Sequence, residues 1–322
     1  MNGLFSRRAV VKLVASSFIA FSAVPAFADD FKVAIVLPGI STDKSFNQNG
    51  YEGVKQASER LGFEFAYSEK VPQPDQVEAL ADYARRGYKV VIGHGGEFQE
   101  SVERVAKRFP GTKFIVVNGV RGQDNVSAMT FDFPSMGYVV GYVAGRASES
   151  KVGAYIGAQK IKAYTELGEG FEKGFKAAAG DKGRVVSAWT NDWDDVAKGK
   201  EAALNVISQG ADVIFPSMDN AVAGSLQAAD EKGKKAIGIY YDAIADWPNT
   251  VIQSAVFDMK GALATILANA KDGKLEGKLY VYGFETPSAM RLGTYAALVK
   301  EDVRKEVDAV ISDIKSGQAK GK

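Results

Sequence analysis

From about residue 31 to its end, this chain alternates short apolar runs with longer stretches whose apolar residues recur every third or fourth position. Segment 31–37 is nearly continuous in apolar residues, the pattern of a strand covered on both faces. In 45–61, Phe46, Gly50, Val54, Ala57 and Leu61 recur at intervals of three or four, which predicts a helix with one apolar face. The cycle continues with strands predicted at 63–67, 89–92, 113–117 and 126–131, and helices at 75–86, 98–108 and 134–148. A second set follows, with strands at 152–156, 184–188, 212–215 and 236–239 and helices near 165–179, 194–208 and 220–232. Segments 251–256 (strand), 258–271 (helix), 279–282 (strand), 291–294 (short, extended) and 301–316 (helix) complete the pattern before a solvated tail. Such alternation predicts an α/β fold with parallel sheets, and the two sets predict two doubly wound lobes. Ligands of such sheets lie beyond the carboxyl ends of the strands, so those ends are where binding residues are sought.

The first 28 residues break the pattern. Arg7-Arg8 precedes a mostly apolar stretch, 10–27, and Ala26-Phe27-Ala28 has the small-x-small spacing of a cleavage site before Asp29. This is the layout of a secretory signal, and Arg7-Arg8 in its context also reads as a twin-arginine signal. A membrane anchor is disfavoured by Ser16, Ser17, Ser22 and Pro25 within the apolar stretch. The expected location is therefore the periplasm of a bacterium.

Composition narrows the chemistry. With 40 Lys+Arg against 39 Asp+Glu, and Arg7, Arg8 and Lys12 removed on cleavage, the mature chain is near neutral. It has no basic footprint for nucleic acid or an anionic membrane. Cysteine is absent, which excludes disulfides, thiolate metal sites and a lipid-bearing cysteine, so a freely diffusing protein is expected. His94 is the sole histidine, leaving no His-rich metal site. The cluster Gly93-His94-Gly95-Gly96 misses the dinucleotide fingerprint because its third glycine position falls on Phe98. No P-loop lysine motif is present, and no cofactor is expected.

The predicted strand ends carry unusual side chains. They include Asp43, Phe46 and Asn47 after the first strand, and His94 among glycines after the third. Further along come Trp189 and Trp193, Asp219 with Asn220, Tyr240-Tyr241-Asp242, and Phe257-Asp258. Aromatic plates alternating with Asp and Asn suit a flat heterocycle, whose faces are stacked and whose edge is read by amides and carboxylates. Plainer roles exist for each. Asp43, Ser45 and Asp219 are well placed to cap helices, Phe46, Trp189 and Trp193 could be core, Asp242 a turn residue, and His94 a loop residue shaping the cleft.

Val33 to Pro38, then Asp43-Lys44-Ser45-Phe46-Asn47 and Tyr51-Glu52-Gly53, resemble the opening of the basic membrane protein (BMP) family. The stretches 209–215 and 236–239 resemble that family's second lobe, and the similarity spans essentially the whole mature chain. The resemblance implies a substrate-binding protein of an ABC importer with a type I periplasmic-binding fold, in a family whose characterised members mostly bind purine nucleosides, with relatives taking purine bases. It implies Phe46 and Trp193 as plates, Asp43 and Asn47 near the base edge, and Asp219 and Asp242 as contributions from the second lobe. Where nucleoside-binding relatives usually show Gly-Val-Asp-x-Asp, this chain has Gly238-Ile239-Tyr240-Tyr241-Asp242, and a segment often ending in lysine reads Ser254-Ala255-Val256-Phe257-Asp258. Exchanging a carboxylate and a cation for two aromatics leaves fewer partners for a ribose, which favours a free purine base over a nucleoside.

The expected lobes take in roughly 29–131 with 256–283, and 133–254 with 285–322, with Asp132 and Asp258 at crossings near the cleft. The ligand-binding set is thus Asp43, Phe46, Asn47, Asp132, Trp193, Asp219, Asp242 and Phe257. No catalytic or metal residue is expected, and the expected partners are a purine and a permease driven by a separate ATPase, with the protein a monomer. The same residues bear on three other classes. An exported nucleoside hydrolase would use Asp43 as general base but lacks a convergent acidic cluster. A LacI-type regulator shares the two-lobed fold but needs a DNA-binding helix pair where this chain has its export signal. A sensory protein that docks on a receptor leaves no mark in the sequence.

Overall fold

A computed structural model describes residues 31–42 and 46–318. The export segment 1–28, with its cleavage site, and Asp43 and Ser45 lie outside the described residues. The first half of the chain reads β1 (Lys32–Val36), α1 (Phe46–Leu61), β2 (Glu64–Ser68), α2 (Gln76–Arg85), β3 (Val90–His94), α3 (Gln99–Ala106), β4 (Lys113–Val117), β5 (Val126–Phe131) and α4 (Phe133–Ala147). It continues with β6 (Val152–Gly157), α5 (Lys162–Ala179), β7 (Arg184–Trp189), α6 (Val196–Ser208), β8 (Val213–Ser217), α7 (Val222–Glu231) and β9 (Lys235–Ile239). Then come β10 (Val251–Phe257), α8 (Met259–Lys271), β11 (Leu279–Tyr282), β12 (Met290–Leu292) and α9 (Glu301–Lys315). Short 3₁₀ turns at Gln73–Asp75 and Gly96–Phe98 lead into α2 and α3, taking up the first residues of the two helices predicted there.

The strands form two six-stranded sheets, ordered β11-β5-β4-β3-β1-β2 and β12-β10-β9-β8-β6-β7. Both repeat one plan: a central strand (β1 or β6) is flanked by the next strand on one side and the third on the other. That reversal of winding direction is where such sheets open a crevice at their carboxyl ends. Among the described residues, every pairing between these strands is parallel except β12 against β10. Burial explains the continuous apolar runs: Val33, Ala34, Ile35 and Val36 are fully buried, as are Ile214 and Phe215 of β8.

Helix packing distributes the chain between the two sheets. α8 follows a strand of the second sheet yet packs on α1 of the first, with Lys260 ion-paired to Glu52. α4 follows β5 of the first sheet yet lies against α5. Glycines at 137, 141 and 145 of α4 face glycines at 170 and 174 of α5, and a Cβ at Gly141 would overlap the Phe171 carbonyl. The absence of side chains there lets the two backbones touch.

Three strands of chain cross between the sheets, and two are built alike. Asp132 (φ −77°, ψ 71°) and Asp258 (φ −86°, ψ 87°) are neither helical nor fully extended. Each caps the helix that follows, Asp132 accepting from Ser135 N at 3.2 Å and Asp258 from Gly261 N at 2.9 Å. The third crossing ties these together. Asp132 N donates to Tyr282 O at 2.9 Å, and Asp258 N donates to Ala289 O at 2.7 Å.

Candidate functional site

The carboxyl ends of both sheets converge on a recess lined by Phe46, Asn49, Asn118, Phe131, Phe133, Tyr164, Asp219, Tyr240, Phe257 and Met259. The cavity between these atoms is narrow, about 40 Å³, and it adjoins a larger polar space described below. Its floor is aromatic: Phe257 lies 5.3 Å from Phe131 and 5.0 Å from Phe133, centroid to centroid, and Tyr240 lies 6.4 Å from Phe257. Phe131 and Phe257 are the last residues of their strands and Phe133 begins α4. The ring cluster is therefore part of the crossings, and whatever fills the recess touches the hinge.

Few polar groups enter this wall. The hydroxyls of Tyr164 and Tyr240 are 2.9 Å apart. Burial first, and the nearby Asp219 carboxylate next, push Tyr164 well above the ordinary tyrosine range. Burial, with Tyr164 and Asp219 beside it, does the same to Tyr240. Both phenols therefore remain protonated at any physiological pH. Tyr240 has φ 68°, a left-handed conformation uncommon for a bulky residue, and its N donates to Ala255 O at 2.9 Å. Asn118, after β4, also has positive φ, 55°, and its Oδ1 is buried with no hydrogen-bond partner. A buried acceptor left unpaired costs about 1–3 kcal/mol, an expense a ligand N–H would offset.

Beyond Tyr240 the recess widens into a polar chamber lined by Asp219, Asn220, Tyr241, Asp242, Trp247, Asp258, Lys260 and Arg291, among others. Its cations are paired: Arg291 with Asp258 at 3.3 Å and Lys260 with Glu52. Asp242 holds the start of the 293–295 segment, its Oδ2 accepting from Thr294 N at 2.8 Å and Thr294 Oγ1 at 2.6 Å. Its Oδ1 is buried without a partner.

The residues singled out in the sequence fall in several places. Phe46, Asp219 and Phe257 line the recess, and Asp242 lines the chamber. Asn47 accepts from Gly39 N at 3.1 Å and so ties α1 to the turn after β1. Asp132 caps α4 between two recess residues, Phe131 and Phe133. Trp193 meets Tyr164 edge-on at 4.8 Å and 64°, standing against a residue of the wall, while its carbonyl accepts from Asp219 N and Ala221 N. Asp43 lies outside the described residues. His94 is buried behind Phe46, its ring stacked at 4.0 Å.

Asn49, Asn118, Phe131, Phe133, Tyr164 and Met259 escaped the sequence reading. For Asn118 there was a signal, since Asn-Gly after an apolar run marks a turn in which Asn tolerates positive φ. Tyr164 gave none, because an aromatic near the start of a helix looks like core. Among the described residues no group of acids and histidines is arranged to hold a metal ion, and no helix is long and apolar enough to cross a membrane.

Two doubly wound lobes around an aromatic recess make the fold of the type I periplasmic-binding class. The chain belongs to the Bmp family, the PnrA-like ABC transporter substrate-binding proteins, whose family model matches residues 31–319. It is 27% identical to the transcriptional activator protein med of Bacillus subtilis, over 87% of each chain. It is 28% identical to a purine-binding protein of Brucella abortus, over 90% of this chain and 82% of that one. With the ABC transporter nucleoside-binding protein BmpA of Lactococcus lactis it shares 26% identity over 77% of each. A solved ABC transporter solute-binding protein from Aeropyrum pernix superposes with a TM-score of 0.77 at 21% identity, over 89% of this chain and 92% of that one, which shows the shared fold.

Proposed function

We propose that this protein is the periplasmic solute-binding component of an ABC importer and that its recess captures a purine base such as adenine or hypoxanthine. One observation carries the reading: a recess walled by aromatic rings contains a buried carboxamide oxygen, Asn118 Oδ1, without a partner. Aromatic rings along its wall suit the faces of a flat solute, and the lone acceptor suits an N–H on its edge. The purine-binding relative supports the solute class. Tyr240 supports base over nucleoside, because its ring and its bond to Tyr164 occupy the recess where relatives usually carry an acidic side chain. Ribose hydroxyls buried there unpaired would cost about 1–3 kcal/mol each.

Affinity comes from stacking, from release of water and from a few edge hydrogen bonds. The solute binds one lobe, contacts from the other stabilise the closed form, and that form is presented to a membrane permease driven by a separate ATPase. The protein acts as a freely diffusing monomer. Arg7-Arg8 directs export after folding; replacing both by lysine should then reduce the periplasmic protein, and an undiminished amount would point to the ordinary secretion route.

A second reading, a purine nucleoside, is favoured by the chamber that continues from the recess, where Asp242 Oδ1 is buried and unpartnered, and by the nucleoside-binding relative. Titration calorimetry with adenine, hypoxanthine, adenosine and guanosine separates the two. Tighter binding of the bases supports the first, while adenosine or guanosine bound much more tightly overturns it in favour of the second.

A further inference from the structure

The glycine cluster after β3 surrounds His94, the sole histidine of the chain, which the recess itself does not use. His94 closes β3 and is 0% exposed. Its ring lies flat on Phe46, with centroids 4.0 Å apart and planes 18° from parallel. Its Nε2 is 2.9 Å from the Phe46 carbonyl oxygen. A carbonyl only accepts, so the imidazole carries a proton on Nε2 and donates it. Gly50, one turn beyond Phe46, leaves the room for this arrangement: a Cβ there would overlap the imidazole. Gly95, at φ 132°, turns the chain away immediately afterwards.

Phe46 needs such support. It is the first residue of α1, in the turn of a helix where backbone N–H groups lack intrahelical partners. Its side chain stands on the wall of the recess. A ring there that could change rotamer would have to be immobilised by each arriving ligand, at a cost in entropy.

We infer that His94 is a positioning residue for ligand capture. Stacked beneath Phe46 and hydrogen-bonded to its carbonyl, it fixes that ring with one face covered and the other left for the solute. Bound heterocycle, Phe46 and His94 then form a three-layer stack. This rests on the reading of the recess as a site for a planar heterocycle, and the test below separates the two.

The experiment is a double-mutant cycle on the tag-free chain, with adenine as the probe and calorimetry as the readout. His94→Ala should weaken adenine binding about tenfold in the wild-type background, the scale of one well-placed aromatic contact. In a Phe46→Leu background the same change should have little further effect, because the ring it positions is gone. His94→Phe, which keeps a flat backing, should recover most of the loss, and His94→Val should not. An equal loss from His94→Ala in both backgrounds, or no loss in either, overturns the inference. Should the wild-type protein not bind adenine or the other purines, the purine reading fails by itself. The lone imidazole's proton resonances then decide for His94 without ligand. A clear displacement of those resonances by Phe46→Leu supports the stack, and unchanged resonances overturn it.

Discussion

Asn118 concentrates the chemistry of the recess in one atom. Its Oδ1 is buried and unpartnered, on a backbone held at φ 55°. Asn118→Ala should weaken adenine binding about tenfold, matching the ~1–3 kcal/mol of a buried hydrogen bond whose partner is lost. The ligand-free protein should change little in melting temperature, since loss of the orphaned oxygen offsets the strain of an alanine at φ 55°. Calorimetry and thermal melts check both halves, and a variant equally destabilised with and without ligand would mark Asn118 as structural. Tyr240 sets the other side. Tyr240→Asp removes the ring and its bond to Tyr164, so the ratio of adenosine to adenine affinity should rise; an unchanged ratio would show that Tyr240 does not exclude the sugar. The aromatic members Phe46 and Phe257 were legible in the sequence because bulky rings at strand ends are unusual. Asn49 and Tyr164 were not, since a helical residue reveals the face it presents only once the helix is docked.

At the scale of elements, close approach governs α4 and α5. Gly141→Ala places a methyl where the Phe171 carbonyl stands, and should cost about 1–3 kcal/mol in urea unfolding, as overpacking does. An unchanged midpoint would mean the helices can separate freely. The ion pair between Glu52 of α1 and Lys260 of α8 gives a pH test. The hydrogen bond from Lys260, aided by Gln48, holds the Glu52 carboxyl below its ordinary 4.5. A depressed carboxylate contributes stability above its unfolded value and loses it as pH falls through the folded one. Glu52→Gln should therefore destabilise the protein at pH 7, by no more than ~1 kcal/mol for so exposed a pair. The difference from wild type should shrink as the pH is lowered below 4.5; a difference that persists in acid would assign it to packing. Most elements could be read from periodicity, and the ends shifted where 3₁₀ turns took up the first residues of α2 and α3. That α8 and α4 pack on the opposite lobe from the strands that precede them is a property of the crossings, which no local pattern encodes.

For the whole molecule, the crossings and the recess share residues. Phe131, Phe133, Phe257 and Met259 line the site and flank the capping aspartates Asp132 and Asp258. Under the proposed function, a solute held by them acts on the crossings directly. Saturating adenine should reduce the radius of gyration measured by X-ray scattering. It should also raise the melting temperature as mass action requires, about 2.7 kcal/mol of added stability at a hundred times Kd. Tight binding with no compaction would mean that capture needs no closure.

The sequence by itself determined the class of fold, because two-sided burial of parallel strands and one-sided burial of helices leave different apolar periods in any chain. It also determined which chemistries were excluded, because a chain with one histidine and no cysteine lacks their atoms. Only the tertiary structure decided which side chains meet. Phe46 and Tyr240 are 194 positions apart yet share one wall, Trp193 stands against Tyr164, and His94 lies under Phe46. Those contacts are set by strand order and by three crossings acting together, and so are not written in any single stretch of sequence.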